Sequence, residues 1–151
     1  MIAFPYYKQK TRYTCGAACM RTALALCGIQ KTEEQVAKLL NTNRVRGTWH
    51  KYFPLAAEKF RLNYRTMRNA GFGDLKECLT KDLTVILCVY YPARNVDHYL
   101  VLKKIDRVRI YCWDPLFGEE HAYSLAHFKK IWRDDPSYDN EKGWFFALQK
   151  Q

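Results

Sequence analysis

The sequence contains no long hydrophobic run, and this absence excludes a helical membrane protein. Its longest apolar stretch covers residues 85–91, whereas a membrane-spanning helix needs about 20 apolar residues. The first motif follows Met1 almost at once, so we expect no signal peptide. A protein without either kind of segment is expected to be cytoplasmic.

The chain also lacks internal repeats, low-complexity linkers and any shift of composition that would mark a domain boundary. Its 151 residues are 48% hydrophobic and 15% aromatic, which is sufficient for one sizeable core and argues against disorder. We therefore expect a single domain over residues 1–151.

A disulfide framework and a zinc-binding pattern are both missing. The six cysteines are irregularly spaced, and several lie inside apolar runs, which is typical of reduced, buried thiols. Cys15 and Cys19 are separated by three residues, but no second Cys/His pair with ligand spacing follows. We expect no metal site.

Acidic residues are scarce: 15 Asp and Glu stand against 25 Lys and Arg, for a net charge of +10. Such a charge attracts polyanions nonspecifically. The basic residues are scattered, however, and no nucleic-acid-binding motif is present. We interpret them as a solvated basic surface and do not expect nucleic acid as a partner.

The hydrophobic periodicity changes along the chain. Helical patterns cover residues 15–27, a segment starting at Thr32, and residues 49–61. Strand patterns dominate the second half, over residues 64–68, 84–91, 99–105, 108–113 and 143–148, with helical patterns over 74–79 and 123–132. Helices followed by strands predict an α+β fold with a mostly antiparallel sheet.

One stretch, residues 9–19, carries a nucleophile pattern. A small-residue run after Cys15 opens the first helix, and unpaired N–H groups and a positive dipole at a helix start favour a thiolate. Gln9 lies six residues upstream, where its amide and the Cys15 N–H would form an oxyanion hole. The alternative is that Cys15 only packs in the core.

A base and its partner are predicted on one hairpin. His98 opens a strand and Asp114 closes the next one. In a register whose paired positions sum to 212, these two residues lie directly opposite, with Cβ atoms about 4.5–5.5 Å apart. The alternative is a core histidine beside a plain Asp-Pro turn. The other histidines have no acidic partner that geometry can place, so we interpret them as surface or helix residues, namely His50, His121 and His127.

The combination of Gln9, the Cys-Gly at Cys15, the His-Tyr at His98 and the Asp-Pro at Asp114 resembles the double-glycine-leader, bacteriocin-processing cysteine peptidases. These belong to the papain-like superfamily, and the resemblance spans about residues 4–148. It implies that Cys15 is the nucleophile, His98 the general base, Asp114 its orienter and Gln9 an oxyanion donor. It also implies a papain-like fold, with the nucleophile on a central helix and the His–Asp pair on the sheet.

Many members of that family are domains of ATP-driven peptide exporters. This chain has no membrane segment and no phosphate-binding Gly-Lys-Ser/Thr loop, so we read it as a stand-alone domain. We predict hydrolysis of a peptide or protein substrate without a metal or organic cofactor, and cleavage after small residues such as Gly-Gly is one candidate specificity. The alternatives are an acyl transferase, amidase or deconjugating enzyme with the same triad, and a non-catalytic peptide- or nucleic-acid-binding module. The sequence does not indicate the oligomeric state.

Overall fold

The computed structural model of the protein describes residues 4–137 and 141–150. The first part of the chain is helical, as its hydrophobic periodicity predicts. Its helices are α1 (Cys15–Leu26), α2 (Glu33–Leu39) and α3 (Tyr52–Lys59). Thr32 caps α2, since its hydroxyl accepts from the Gln35 N–H while the Gln35 side chain accepts from the Thr32 N–H. This reciprocal pair is the capping box that the sequence indicates.

The second part supplies an antiparallel sheet and two helices. In chain order these are β1 (Tyr64–Met67), α4 (Phe72–Thr80), β2 (Leu83–Tyr91), β3 (Val96–Ile105), β4 (Arg109–Asp114), β5 (Gly118–Ser124), α5 (Leu125–Ile131) and β6 (Phe145–Gln149). The strands lie in the order β1-β6-β2-β3-β4-β5, and every described neighbour pair is antiparallel. The predicted α+β fold class is confirmed.

Strand β5 is the element that the sequence analysis missed. Among the described strands it pairs only with β4, at the edge of the sheet, and its side chains are mostly exposed or half-buried. An exposed edge strand needs no apolar alternation, so the sequence gives little signal for it. The helix predicted over residues 123–132 begins later, at Leu125, because the Ser124 hydroxyl caps it by accepting from the His127 N–H.

The sheet is buried on both faces, and this explains the uninterrupted apolar run of β2. Ile86 and Cys88 pack on the face that α1, α2 and α3 cover. Val85, Leu87 and Val89 pack on the opposite face, against α4 and α5. A strand between two cores needs apolar residues at consecutive positions. Strand β2 therefore contributes side chains to both faces of the sheet, here called the α1 face and the α4–α5 face.

Gly143 gives a stability prediction. Its φ is +60°, and a Cβ there would lie 2.7 Å from the Ala70 nitrogen and 2.8 Å from the Ala70 oxygen. Because these contacts are to backbone and the φ is left-handed, we expect Gly143→Ala to lower the free energy of unfolding by about 2–4 kcal/mol. Urea denaturation measures this.

The matched control is Gly73→Ala. Gly73 lies in α4 with open space around its Cα, so the better helix propensity of alanine should raise the free energy of unfolding by about 0.5–1 kcal/mol. Equal effects of the two substitutions would contradict the close approach of Gly143 to Ala70.

Candidate active site

Cys15 is the first residue of α1, where the sequence analysis places it. The preceding turn is fixed by side chains, since the Thr14 hydroxyl accepts from the Thr11 N–H at 3.1 Å. Thr14 makes no side-chain capping bond to the helix. The unpaired N–H groups of the first turn and the positive end of the helix dipole therefore lie at the end of α1 that begins with Cys15.

The glycine after Cys15 is required by a close approach. A Cβ on Gly16 would lie 2.9 Å from Thr48 Oγ1 and 3.1 Å from Tyr99 Cδ2. Thr48 belongs to the segment before α3, and Tyr99 follows His98 on β3. The absence of a side chain at Gly16 thus brings the start of α1 against both the sheet and this segment.

His98 joins Cys15 to Asp114. The His98 Nε2 lies 2.7 Å from Asp114 Oδ1, and both side chains are buried. The Cys15 side chain lies close enough to the His98 ring that a thiolate there raises the pKa of that ring. Since Nε2 is engaged with Asp114, Nδ1 is the nitrogen available to the thiol. The structure therefore brings three of the four predicted residues together, with His98 between Cys15 and Asp114.

The charges of Cys15, His98 and Asp114 stabilise one another. Burial alone would lower the pKa of His98, but the Cys15 thiolate and the hydrogen bond to Asp114 outweigh it and raise that pKa to about 10. Burial alone would raise the pKa of Asp114, but the bond from His98 and two backbone N–H groups hold it below its usual range. Those N–H groups belong to Leu116 and Phe117, at 2.8 and 3.1 Å from Oδ1.

The predicted hairpin register was wrong by two residues. Near the site the pairs are Val101 with Trp113 and Leu102 with Cys112, so paired positions sum to 214. A shift of two preserves the faces of the strands. His98 and Asp114 are therefore diagonal neighbours on one face, which is still within reach of a long side chain.

The turn explains this register. The Asp106 carboxylate accepts from the N–H groups of Val108 and Arg109 at 2.9 and 2.8 Å. Asp106 therefore starts the turn, whereas the register we predicted is centred on it. A β-bulge between Leu102 and Lys104 then changes the pairing by one residue along the hairpin.

Gln9 is buried beside the end of β4. Its backbone N–H donates to the Pro115 carbonyl at 2.8 Å, next to Asp114. Its side-chain nitrogen donates one N–H to the Thr11 carbonyl at 2.7 Å, and an amide nitrogen carries a second N–H. The loop before α1 is thus tied to the strand that carries Asp114.

Two exposed aromatic rings are connected to the neighbourhood of His98, one directly and one through Arg46 and Asp97. Phe117, which is 46% exposed, has its ring centroid 6.5 Å from that of His98. Trp49, 42% exposed, stacks under Arg46 at 4.7 Å, and Arg46 pairs with Asp97 at 3.3 Å. Asp97 precedes His98 but directs its charge to Arg46. Phe117 therefore offers exposed apolar surface beside His98.

The interpretation of His50 as a residue without an acidic partner was wrong. Its Nε2 lies 2.8 Å from both carboxylate oxygens of Asp134, and its Nδ1 lies 2.7 Å from the Tyr99 hydroxyl. Asp134 lies 84 residues further along the chain, so no local spacing indicates the pair. His121 lies half-buried on β5, and His127 lies exposed on α5.

A third side chain joins this pair. The Cys88 thiol lies near both residues, since the ligand atoms of His50, Cys88 and Asp134 are all within 4.8 Å of one another. Burial raises the pKa of Cys88. Among the described residues this is the group of three whose donor atoms could hold a metal ion.

Over residues 4–137 and 141–150, no helix has the length and apolar character needed to cross a membrane. Comparison with solved structures finds chains of the same fold. The peptidase domain of Streptococcus ComA, a bifunctional ABC transporter, superimposes with a TM-score of 0.76 at 20% identity, over 99% of this chain and 100% of that one. A C39-like peptidase from Bacillus anthracis gives 0.77 at 14% identity, over 98% and 95%.

A third solved structure contains a peptide. The double glycine motif protease of an AMS/PCAT transporter, in complex with its leader peptide, gives a TM-score of 0.70 at 19% identity, over 97% of this chain and 91% of that one. Comparison with curated protein sequences finds no significant match. A sequence family described as "Peptidase_C39 like family" matches residues 1–139. Because that match covers most of the chain, this protein belongs to the Peptidase C39-like family of cysteine peptidases, as its sequence motifs predict.

Proposed function

We propose that this protein hydrolyses a peptide bond, with Cys15 as nucleophile, His98 as general base and acid, and Asp114 as the residue that orients His98. The observation that carries the proposal is the position of His98, which is hydrogen-bonded to Asp114 at 2.7 Å and lies beside Cys15 at the start of α1. We further propose that residues 1–151 form a single peptidase domain.

The chemistry follows from the positions of these groups. The Cys15 thiolate attacks the scissile carbonyl carbon, and the resulting oxyanion accepts hydrogen bonds from the Cys15 N–H and a Gln9 side-chain N–H. Protonated His98 gives its proton to the leaving amine, which releases an acyl-enzyme. Neutral His98 then takes a proton from water, and the hydroxide formed attacks the thioester and frees Cys15.

We propose that the substrate is a peptide or protein that is cleaved after small residues such as Gly-Gly. Two findings support this. One fold neighbour is described as a double glycine motif protease bound to its leader peptide. The exposed ring of Phe117 lies beside His98 and supplies apolar surface for a bound peptide. All six cysteines are free thiols, which supports a reducing, cytoplasmic location.

The test is the alkylation rate of each cysteine against pH, followed by peptide mass spectrometry. We expect Cys15 to react fastest at neutral pH and to lose this advantage in His98→Ala, because the imidazolium stabilises its thiolate. Cys19 is the matched control, since it lies one turn further along α1 and is buried. If Cys15 reacts no faster than Cys19, or is unaffected by His98→Ala, the proposed ion pair is refuted.

A substrate search accompanies this test. The wild-type protein and Cys15→Ala are incubated with a mixture of synthetic peptides that carry Gly-Gly, Gly-Ala or bulky pairs at a fixed position. New peptide termini that depend on Cys15 are expected after the small pairs. Equal cleavage after bulky pairs would contradict the proposed preference but not the proposed nucleophile.

A further inference from the structure

We propose that His50, Cys88 and Asp134 form a binding site for a divalent metal ion, with Zn²⁺ as the best-suited ion. The three residues come from separate parts of the fold: the segment before α3, strand β2 and the segment after α5. Their donor atoms lie within 4.8 Å of one another. This site is distinct from the group formed by Cys15, His98 and Asp114.

The hydrogen bonds around His50 direct its Nε2 at the Asp134 carboxylate. The Tyr99 hydroxyl donates its proton to the Thr48 carbonyl at 2.7 Å. Its oxygen therefore accepts from His50 Nδ1–H, at 2.7 Å. In the neutral ring, Nε2 is then unprotonated while it faces two carboxylate oxygens at 2.8 Å. Either an additional proton or a cation must lie between these acceptors.

The donor set suits zinc. Imidazole nitrogen, thiolate sulfur and carboxylate oxygen are the ligands that Zn²⁺ takes, at about 2.0–2.3 Å. Two ligands of one tetrahedral ion are then about 3.3–3.8 Å apart. The His50–Asp134 separation would widen by roughly half an ångström and Cys88 would approach by at most about 1–1.5 Å, which are side-chain movements.

The surroundings of the cluster also fit a metal site. Zinc-binding histidines commonly donate their second ring N–H to an oxygen, and Tyr99 provides it. Cys88 and Asp134 are each 1% exposed, whereas the His50 side chain is 18% exposed. Solvent therefore reaches the cluster along His50, which gives an ion a route of entry.

Metal binding at this site is coupled to the release of protons. Zn²⁺ replaces the thiol proton of Cys88 and the proton held between His50 and Asp134, and both are released to solvent. The competing explanation is an ion pair of protonated His50 with Asp134, to which the Cys88 thiol donates. Such an ion pair would bind no metal, so a measurement of metal binding distinguishes it from the proposed metal site.

The experiment uses the full chain with Cys15→Ala, which removes the thiol of the other Cys–His–Asp group. The reduced, chelator-treated protein is titrated with Co²⁺ as a spectroscopic probe and then with Zn²⁺. We expect one equivalent of Co²⁺ to give a near-ultraviolet sulfur-to-cobalt charge-transfer band, which Zn²⁺ abolishes by displacement. The band should be lost, and Zn²⁺ affinity reduced by about 100-fold or more, in Cys15→Ala/Cys88→Ser.

Cys15→Ala/Cys112→Ser is the matched control, because Cys112 is equally buried on the α4–α5 face of the sheet; it should retain the band. Zn²⁺ at 100 times its Kd should raise the Tm of Cys15→Ala and of the Cys112 control by about 5–10 °C. If the Cys88 variant fails to fold, Cys15→Ala/His50→Gln replaces it.

Absence of metal binding to Cys15→Ala overturns the proposal, as does an unchanged band in the Cys88 or His50 variant. Stoichiometric binding that also disappears in the Cys112 control overturns it too. None of these readouts uses a peptide substrate, so failure of the metal proposal leaves the proposed peptidase activity untouched, and the reverse also holds.

Discussion

Replacing Cys15 with alanine is expected to lower kcat/KM for peptide hydrolysis by about 10⁴-fold or more, because the covalent route through an acyl-enzyme is lost. His98→Ala should cost a similar factor, since the thiolate loses its counter-ion and the leaving amine loses its proton donor. The measurement is the initial rate on the best peptide from the substrate search, in wild type and in both variants.

The double variant makes this prediction sharper. Residues that act as one unit show strongly non-additive effects, so Cys15→Ala/His98→Ala should be no slower than Cys15→Ala alone. Cys19→Ala and His127→Ala are the controls for a lost buried thiol and a lost imidazole, and both should stay within about threefold of wild type. Multiplying losses in the double variant, or an active Cys15→Ala, would contradict the proposed nucleophile and base.

The local features that position Cys15 were predictable from sequence. The run of small residues after it indicates a helix start, and the capping box at Thr32 indicates the next helix. Both signals lie within a few residues of the structure that they specify. Periodicity likewise predicts β2, because a strand buried on both faces is apolar throughout.

The hairpin shows where such prediction ends. Alternation of apolar residues fixes which face of a strand is buried, and this correctly places His98 and Asp114 on one face. It does not separate registers that differ by two, since both keep the same faces. The choice is made by the Asp106 turn and the bulge near Lys103, whose hydrogen bonds are not visible in a pattern of hydrophobicity.

Long-range polar contacts are the second limit. His50 meets Asp134 across 84 residues, and Cys88 joins them from the central strand β2. A search for metal ligands by sequence spacing detects pairs a few residues apart, as with Cys15 and Cys19, and passes over ligands that only the fold assembles. The expectation that the chain has no metal site depended on spacing alone, and the proposed zinc site tests it.

The pH dependence of hydrolysis should move in a fixed direction when Asp114 is replaced. In the wild type the carboxylate and the Cys15 thiolate raise the pKa of His98 to about 10. Acylation needs the protonated ring, so kcat/KM should persist through neutral pH and fall only as pH rises through that value. Asp114→Asn removes one negative charge, so the pKa of His98 falls and the basic limb should move to lower pH by about one unit or more.

The rate itself should also fall, by about 10²–10⁴-fold at neutral pH, because the ring loses the partner that fixes its orientation and tautomer. The contribution of His98 to the stability of the fold also decreases as pH rises. A raised His98 pKa stabilises the fold fully below the unfolded value of about 6.5, and this contribution is lost as pH rises through about 10. Urea denaturation at pH 6 and pH 10 should therefore separate wild type from Asp114→Asn more strongly at pH 6.

Asp97→Asn is the control that identifies the cause. Asp97 adjoins His98 in sequence, but its carboxylate pairs with Arg46 at 3.3 Å, whereas Asp114 touches the ring at 2.7 Å. We expect the basic limb of Asp97→Asn to coincide with that of wild type, whatever happens to KM. If both variants shift the limb equally, the effect is a general loss of negative charge near the site. If neither shifts it, His98 is not the group whose ionisation limits hydrolysis, and its assignment as general acid and base fails.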